Sequence, residues 1–175
     1  MSQLHNGEPL TVPRLDCFTE GQVEKALATC EKLLLESRSQ IPIRLKRKWA
    51  KRFPKDAGVY AVFDKETLVY VGETGSLSAR MADFLDSRNH VLRRSLGNAQ
   101  FKDQEGFQRA SARERFPDHI EEQISDYIES RMTVTTVVVP LGRTEIEEHL
   151  TGKHVPKYNK KGKRGTKLHG KPNKG

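Results

Sequence analysis

The sequence has no apolar stretch that approaches the ~20 residues a helix needs to cross a bilayer. Residues 1–8 also lack the basic and then apolar order of a secretion signal. Only two cysteines are present, Cys17 and Cys30, and these cannot form a metal site alone; we expect reduced thiols rather than a disulfide. These absences favour a cytoplasmic protein that makes no contact with a membrane.

Nucleotide-binding loops and appended DNA-recognition modules are also missing. The turn at residues 72–76 has two glycines, but neither a GxGxxG pattern nor the lysine of a phosphate-binding loop. No helix-turn-helix or zinc module can be recognised. If the protein selects a DNA target, the selection would therefore depend on insertions, on basic segments or on a partner.

Positive charge is concentrated near the C-terminal end. The 175 residues carry a net charge of +8, and Lys153–Gly175 contains nine Lys or Arg without any Asp or Glu. Subtracting these nine leaves −1 for residues 1–152. A second basic run lies at residues 44–55. Such clusters bind phosphate through charge and released counterions, although a solvated tail and a soluble helix face would explain the same composition.

The pattern of apolar residues predicts an α+β fold. The length of 175 residues indicates one domain of ordinary size with extensions. β-branched and aromatic residues predict strands, and apolar residues at helical spacing predict helices. The expected strands are Gly58–Phe63, Leu68–Val71 and Thr133–Val139. The expected helices are 20–38, 44–52, one from Ser76, His90–Leu96 (ended by Gly97), one after Pro117, and Arg143–Leu150. We expect a long polar connection at residues 98–116, and a basic tail at 160–175 with too little apolar surface to order itself.

Two tyrosines, each beside a glycine, lie ten residues apart on the first two strands. Tyr60 follows Gly58-Val59 and Tyr70 precedes Val71-Gly72. A three-residue loop at 64–66 would place the two tyrosines directly opposite each other on one face, whereas a four-residue loop would send them to different faces. We expect the three-residue loop. Either tyrosine alone would pass for an ordinary strand aromatic.

An arginine and an acidic helix complete the pattern. Arg80 lies ten residues after Tyr70, on the helix that follows a glycine turn, where free N–H groups attract phosphate. Glu147 is twelve residues before Asn159. Glu145 and Glu148 are its rivals, since they project roughly 160° and 100° away from it on a helix and only one of the three can face a given site.

Residues 57–159 resemble the GIY-YIG nucleases, in which these motifs form one active site. The resemblance implies a small, three-stranded, mainly antiparallel sheet flanked by helices, one divalent ion (Mg²⁺ or Mn²⁺) and hydrolysis of a phosphodiester. By position, Tyr60 would be the general base and Tyr70 would place water or phosphate. Arg80 would neutralise the scissile phosphate, Glu147 would hold the metal, and Asn159 would lock the local backbone.

One departure from the family pattern concerns a proton-active residue. Family members often carry histidine or tyrosine four residues after the arginine, but Phe84 occupies that position here. Either the role is dispensable or His90, ten residues after Arg80, fills it. Arg93 and Arg94 follow closely and are candidates for contacts with a DNA backbone.

The sequence therefore predicts a divalent-metal-dependent DNA endonuclease, with restriction-type double-strand cutting as the first interpretation. A structure-specific repair nuclease and a non-catalytic nucleic-acid-binding protein are the alternatives. We expect an N-terminal helix and basic arm (1–56), a nuclease domain (57–159) and a basic tail (160–175). A double-strand cutter with one site per chain could work as a homodimer. The expected DNA contacts are Arg93, Arg94, Lys46, Arg47, Lys48, Lys160, Lys161, Lys163 and Arg164.

Overall fold

The computed structural model describes residues 20–36 and 40–159. The basic tail and Cys17 lie outside the described residues, and so do Lys160, Lys161, Lys163 and Arg164. None of the described helices is long and apolar enough to cross a membrane. The elements in chain order are α1 (Glu20–Leu35), β1 (Ile41–Pro42), α2 (Arg47–Ala50), β2 (Gly58–Asp64), β3 (Thr67–Thr74), α3 (Leu77–Asp83), α4 (Val91–Gln100), α5 (Asp118–Arg131), β4 (Met132–Val138) and α6 (Arg143–His154).

The sheet is antiparallel and has the order β1-β4-β2-β3. The expected antiparallel sheet flanked by helices is confirmed, but the number of strands was wrong: the sheet has four rather than three. The additional strand is only two residues long, with Ile41 opposite Val134 and Pro42 opposite Thr133. A proline is compatible with this edge position, because an edge strand can spare the missing N–H.

Alternating residues of β2 separate two apolar clusters on the two faces of the sheet. On one face, Val59 and Ala61 pack with Cys30 and Leu34 of α1 and with Ile146 of α6. The deep burial of Cys30 raises the pKa of its thiol to about 11. The other face is covered chiefly by α2 to α5. Its cluster includes Tyr60, Val62, Tyr70, Leu77, Met81, Phe84, Leu92, Leu96, Ile120, Ile124 and Ile128.

A single carboxylate joins α1 to α6. Glu31 accepts hydrogen bonds from Lys153 at 2.9 Å and from His154 at 2.7 Å. Burial raises the pKa of Glu31, but these hydrogen bonds outweigh it and lower the pKa to about 2. The first helix is thereby tied to the last.

The fourth helix continues past the expected stop at Gly97. A Cβ at Gly97 would lie 2.5 Å from the ring of Phe116 and 2.8 Å from Ile124. The glycine therefore serves close packing between α4 and α5 rather than ending the helix. The signal was misread because a glycine at a helix end and one at a helix crossing look alike in sequence.

The connection between α4 and α5 is held by a buried ion pair. Arg93 is 1% exposed, and its guanidinium pairs with Glu121 and donates to the Phe84 carbonyl at 2.9 Å. Glu121 also accepts hydrogen bonds from the Ser87 hydroxyl and the Phe116 N–H. The long polar connection is thus anchored at its end by a side-chain network.

We expect Arg93→Met to lower the free energy of unfolding by about 3–5 kcal/mol, because the Glu121 carboxylate would be left buried without its cation. Adding Glu121→Gln should recover part of this loss, since glutamine keeps the acceptor oxygen and removes the charge. Urea unfolding measures both. Arg115→Met, which breaks an exposed pair with Asp118, is the control and should cost under about 1 kcal/mol. An equally small loss in Arg93→Met would contradict the assignment.

Candidate active site

The hairpin that carries the two tyrosines has a different register from the one expected. Asp64 pairs with Thr67, so the loop is the two residues Lys65 and Glu66, with Lys65 at φ 55°. Tyr60 lies opposite Gly72 and not opposite Tyr70. The expected three-residue loop with directly opposed tyrosines was therefore wrong.

A β-bulge at Val69 nevertheless brings the two phenols to one face. The register shifts between Val62, which pairs with Tyr70, and Phe63, which pairs with Leu68, and this leaves Val69 as the extra residue. Without the bulge, the two-residue loop would place Tyr60 and Tyr70 on opposite faces. With it, their ring centroids are 6.0 Å apart.

Gly72 provides the space for the Tyr60 phenol. A Cβ at Gly72 would lie 2.5 Å from the Tyr60 hydroxyl oxygen and 2.6 Å from Cζ. Any side chain there would displace the phenol or the strand. Gly72 is therefore explained by the close approach of the Tyr60 phenol, not by a turn.

His90 lies in the site and contacts the first phenol. Its Nδ1 accepts a hydrogen bond from the Leu92 N–H at 3.2 Å, at the start of α4. Burial, and then the charges of nearby arginines, hold the pKa of His90 well below its usual range. The ring is therefore neutral, and its proton is on Nε2 because Nδ1 acts as an acceptor. Nε2 donates to the Tyr60 oxygen at 3.1 Å.

The two phenols differ in burial and in their partners. Burial raises the pKa of Tyr60 well above its ordinary value, and it also raises the pKa of Tyr70. Tyr60 accepts a hydrogen bond from His90. Tyr70 is 9% exposed against 1% for Tyr60, so solvent reaches Tyr70 more easily.

Arg80 supplies a positive charge next to both phenols. Its charge lowers the pKa of Tyr60 and of Tyr70, although burial outweighs it in both. The guanidinium bonds Asp83 at 3.1 Å through Nη1, and its side chain is 31% exposed. Its Nε is buried and has no hydrogen-bond partner among the described residues. The part of the guanidinium that an anionic ligand could reach is therefore its exposed end rather than Nε.

Glu147 is the one carboxylate of the three candidates that acts on the phenols. Its charge raises the pKa of both Tyr60 and Tyr70, and its side chain is half-buried, whereas Glu145 and Glu148 are exposed. Within the described ranges no cluster of three or more His, Cys, Asp or Glu could enclose a metal. Mg²⁺ commonly takes one or two carboxylates together with waters and substrate phosphates, so a single carboxylate fits this ion.

Asn159 pairs with the outer edge of β3. Its side-chain oxygen accepts from the Val71 N–H at 2.8 Å, and its side-chain nitrogen donates to the Val71 carbonyl at 2.7 Å. The Tyr158 N–H donates to the Val69 carbonyl at 2.9 Å. The segment 158–159 thus covers the edge beside Tyr70, including the bulge.

The residues expected to contact DNA differ in their burial and in their partners. The prediction for Arg93 was wrong, because its guanidinium is inside the protein and paired with Glu121. Arg94 is half-buried and donates to the carbonyls of Ser87 and Arg88, at 2.7 and 2.6 Å. The arm residues Lys46, Arg47 and Lys48 are exposed. Nothing in the sequence distinguished the two adjacent arginines, since burial depends on which face of α4 packs against α5.

No family model and no curated protein matches the chain. Solved structures of the GIY-YIG N-terminal endonuclease domain of UvrC from Thermotoga maritima are similar to it. The domain bound to its catalytic divalent cation, magnesium, is 21% identical with a TM-score of 0.37, over 65% of this chain and 94% of that chain. A point mutant of that domain bound to the catalytic divalent cation is 18% identical with the same TM-score, over 65% and 93%. Both the identity and the TM-score are low in these comparisons.

The buried neutral state of His90 predicts a pH dependence of stability. The unfolded chain takes up a proton on this histidine below about pH 6.5 and the folded chain does not, so stability falls as the pH decreases through that value. One such group contributes up to about 1.4 kcal/mol per pH unit. We expect His90→Asn, which keeps an acceptor at the start of α4, to reduce this slope.

Urea unfolding between pH 5 and pH 8 measures the slope. His119→Asn is the matched control, because His119 is exposed, and it should leave the slope unchanged. Equal slopes in the wild type and His90→Asn would show that His90 is not held neutral by the fold.

Proposed function

We propose that the chain is a divalent-metal-dependent DNA endonuclease that hydrolyses phosphodiester bonds. The observation that carries the proposal is the meeting of the His90, Tyr60 and Tyr70 rings, with a hydrogen bond between His90 and Tyr60, under the opposite charges of Arg80 and Glu147. Such a set can serve the hydrolysis of a phosphodiester, because it offers an oxygen that takes a proton, a fixed cation and a carboxylate for a metal.

Arg80 would bind the scissile phosphate. Its ion pair with Asp83 involves Nη1, and its side chain is 31% exposed, so the end of the guanidinium can be reached by a ligand. A guanidinium offers several donors in one plane, which suits the oxygens of a phosphate. Because charge accumulates on those oxygens during attack, the arginine would stabilise the transition state more than the bound substrate.

The tyrosines would handle the proton of the attacking water. Tyr70 is the more exposed of the two phenols, and Tyr60 is already bonded to His90, so we favour Tyr70 as the phenol that gives up its proton first, to solvent. Tyr60 would donate to the resulting phenolate, and His90 would support Tyr60. This differs from the sequence expectation, in which Tyr60 is the base. The Tyr70 phenolate would take a proton from water and the hydroxide would attack phosphorus. The bond between phosphorus and the leaving oxygen would break, and that oxygen would take a proton from solvent.

Glu147 would hold the metal ion, Mg²⁺ or Mn²⁺. When bound, such an ion supplies positive charge for the leaving oxygen and lowers the pKa of nearby groups. Asn159 would act indirectly, since it holds the edge of β3 on which Tyr70 lies.

Restriction-type double-strand cutting remains the first proposal for the biological role. Plasmid DNA incubated with the protein and either Mg²⁺ or Mn²⁺ separates the alternatives. Discrete fragments support restriction-type cutting, and selective nicking of branched or damaged DNA supports a repair nuclease. Binding without cutting in either metal would reject the enzyme in favour of a nucleic-acid-binding protein.

We expect Arg80→Ala and Glu147→Gln each to lower the rate of cleavage at saturating DNA by at least about 100-fold, because each removes a charge that acts in the transition state. Folding should be retained, since both side chains are partly exposed. Arg88→Ala and Glu148→Gln are the matched controls, because both residues are exposed, and they should cut normally. Full activity in Glu147→Gln together with a loss of activity in Glu148→Gln would assign the metal ligand to Glu148 instead.

The two phenols can be separated by removing one hydroxyl at a time. We expect Tyr70→Phe to lower the rate by about 10²–10⁴-fold, the typical contribution of a general base. Tyr60→Phe should lower it less and shift the pH–rate profile to higher pH, because the Tyr70 phenolate would lose its donor. The rates are measured at saturating DNA from pH 6 to pH 10.

Thermal melting is the control for folding in both variants. A larger loss in Tyr60→Phe than in Tyr70→Phe, with both proteins folded, would restore Tyr60 as the base.

A further inference from the structure

A basic arm covers one flank of the molecule and has no part in the proposed chemistry. We define the basic arm as residues 44–55. Its seven cations are all exposed: Arg44, Lys46, Arg47, Lys48, Lys51, Arg52 and Lys55. Within residues 20–36 and 40–159 none of these side chains forms an ion pair with a carboxylate. Their charge is therefore available to an external anion.

The arm is folded onto the protein. Trp49, Ala50 and Phe53 are buried in the cluster that contains Tyr60, and the Trp49 and Phe53 rings meet edge to face at 4.8 Å. Each apolar side chain points inward while the cations between them remain outside. The positive charges thus sit on a fixed surface, and less conformational entropy is lost when they bind.

Hydrogen bonds attach the arm to the helix that carries Arg80. The Ser78 hydroxyl donates to the Ala50 carbonyl at 3.1 Å, and the Ser78 N–H donates to the Pro54 carbonyl at 2.8 Å. The Leu77 N–H donates to the Asp56 carbonyl at 2.9 Å. The arm and Arg80 therefore keep a constant spacing.

The arm and Arg80 lie on opposite flanks of α3. Ser78 and Arg80 are two residues apart, so their side chains point about 200° apart around the helix axis. A helix with its side chains is about 10–12 Å wide. Since B-DNA rises about 3.4 Å per phosphate along each strand, this width corresponds to roughly three phosphates.

We infer that the basic arm binds the backbone of double-stranded DNA about three nucleotides from the phosphate held by Arg80. The inference rests on the proposed function for the position of that phosphate. Contacts of this kind supply affinity without base specificity. A membrane is the less favoured partner, because the exposed large apolar residues of the described chain are Leu85, Leu141 and Val155, and none lies in the arm.

The test uses Arg47→Glu/Lys48→Glu. The control is Lys25→Glu/Lys32→Glu, the same change of charge at two exposed positions of α1, on the other face of the sheet. Affinity for a 30-base-pair duplex is measured without divalent metal from low to high salt. We expect the arm variant to bind at least about tenfold more weakly at low salt, with a salt slope smaller by roughly one to two units, since each phosphate that a cation neutralises adds about 0.9 to the slope.

The control variant should keep the wild-type slope. Arg47→Gln/Lys48→Gln, which adds no negative charge, should show the same direction of change at about half the size.

The outcomes separate this inference from the proposed function. If the arm variants keep the wild-type salt slope, the inference is overturned even if the protein cuts DNA. The basic tail would then be the candidate for the DNA-binding surface. A reduced slope in a protein that cuts nothing supports the arm as a DNA-binding surface and rejects the nuclease. Loss of binding to anionic vesicles without loss of duplex binding overturns the inference in favour of a membrane.

Discussion

The position of one extra residue in an edge strand determines whether this fold can have the proposed site. The bulge at Val69 returns Tyr70 to the face that holds Tyr60. An edge strand carries bulges easily, but it also exposes unpaired backbone groups. The Tyr158 N–H and the Asn159 side chain occupy those groups at Val69 and Val71. Residues nearly ninety positions later in the chain therefore support the register on which the two phenols depend.

Burial decides the protonation state of the site in the absence of substrate. Both phenols have a raised pKa, although Arg80 opposes the rise, because the loss of solvation is larger than the effect of one partly exposed charge. Glu147 contributes in the same direction as burial. The resting site thus contains two neutral phenols and a neutral imidazole between two opposite charges. Positive charge arriving next to Glu147 would remove one of the two effects that keep the phenols protonated.

Periodicity and residue type were sufficient for the main elements of the fold. The β-branched run of β4 and the isoleucine stripe of α5 each occur where the pattern predicts them. The errors arose where a tertiary contact overrides a local signal. Gly97 lies inside α4 because Phe116 needs the space, and the two-residue strand β1 exists only through its pairing with β4.

The candidate site, too, was predictable from the sequence only in part. Spacing indicated the tyrosines, Arg80, Glu147 and Asn159, and in the structure the charges of Arg80 and Glu147 act on both phenols. The bulge could not be predicted from the sequence. The strand consists largely of apolar and β-branched residues, and one extra residue of this kind causes no visible break in the alternation over so short a hairpin. The burial of Arg93 was equally hidden, since its partner Glu121 is 28 residues away on another helix.

Phe84 holds the His90 imidazole in place. Its ring cannot transfer a proton, but it stacks on the imidazole with centroids 4.0 Å apart and planes 25° from parallel. The stacked ring and the Leu92 N–H orient the imidazole so that Nε2 points toward Tyr60. The hydrogen bond between His90 and Tyr60 therefore depends on an apolar ring that takes no part in proton transfer itself.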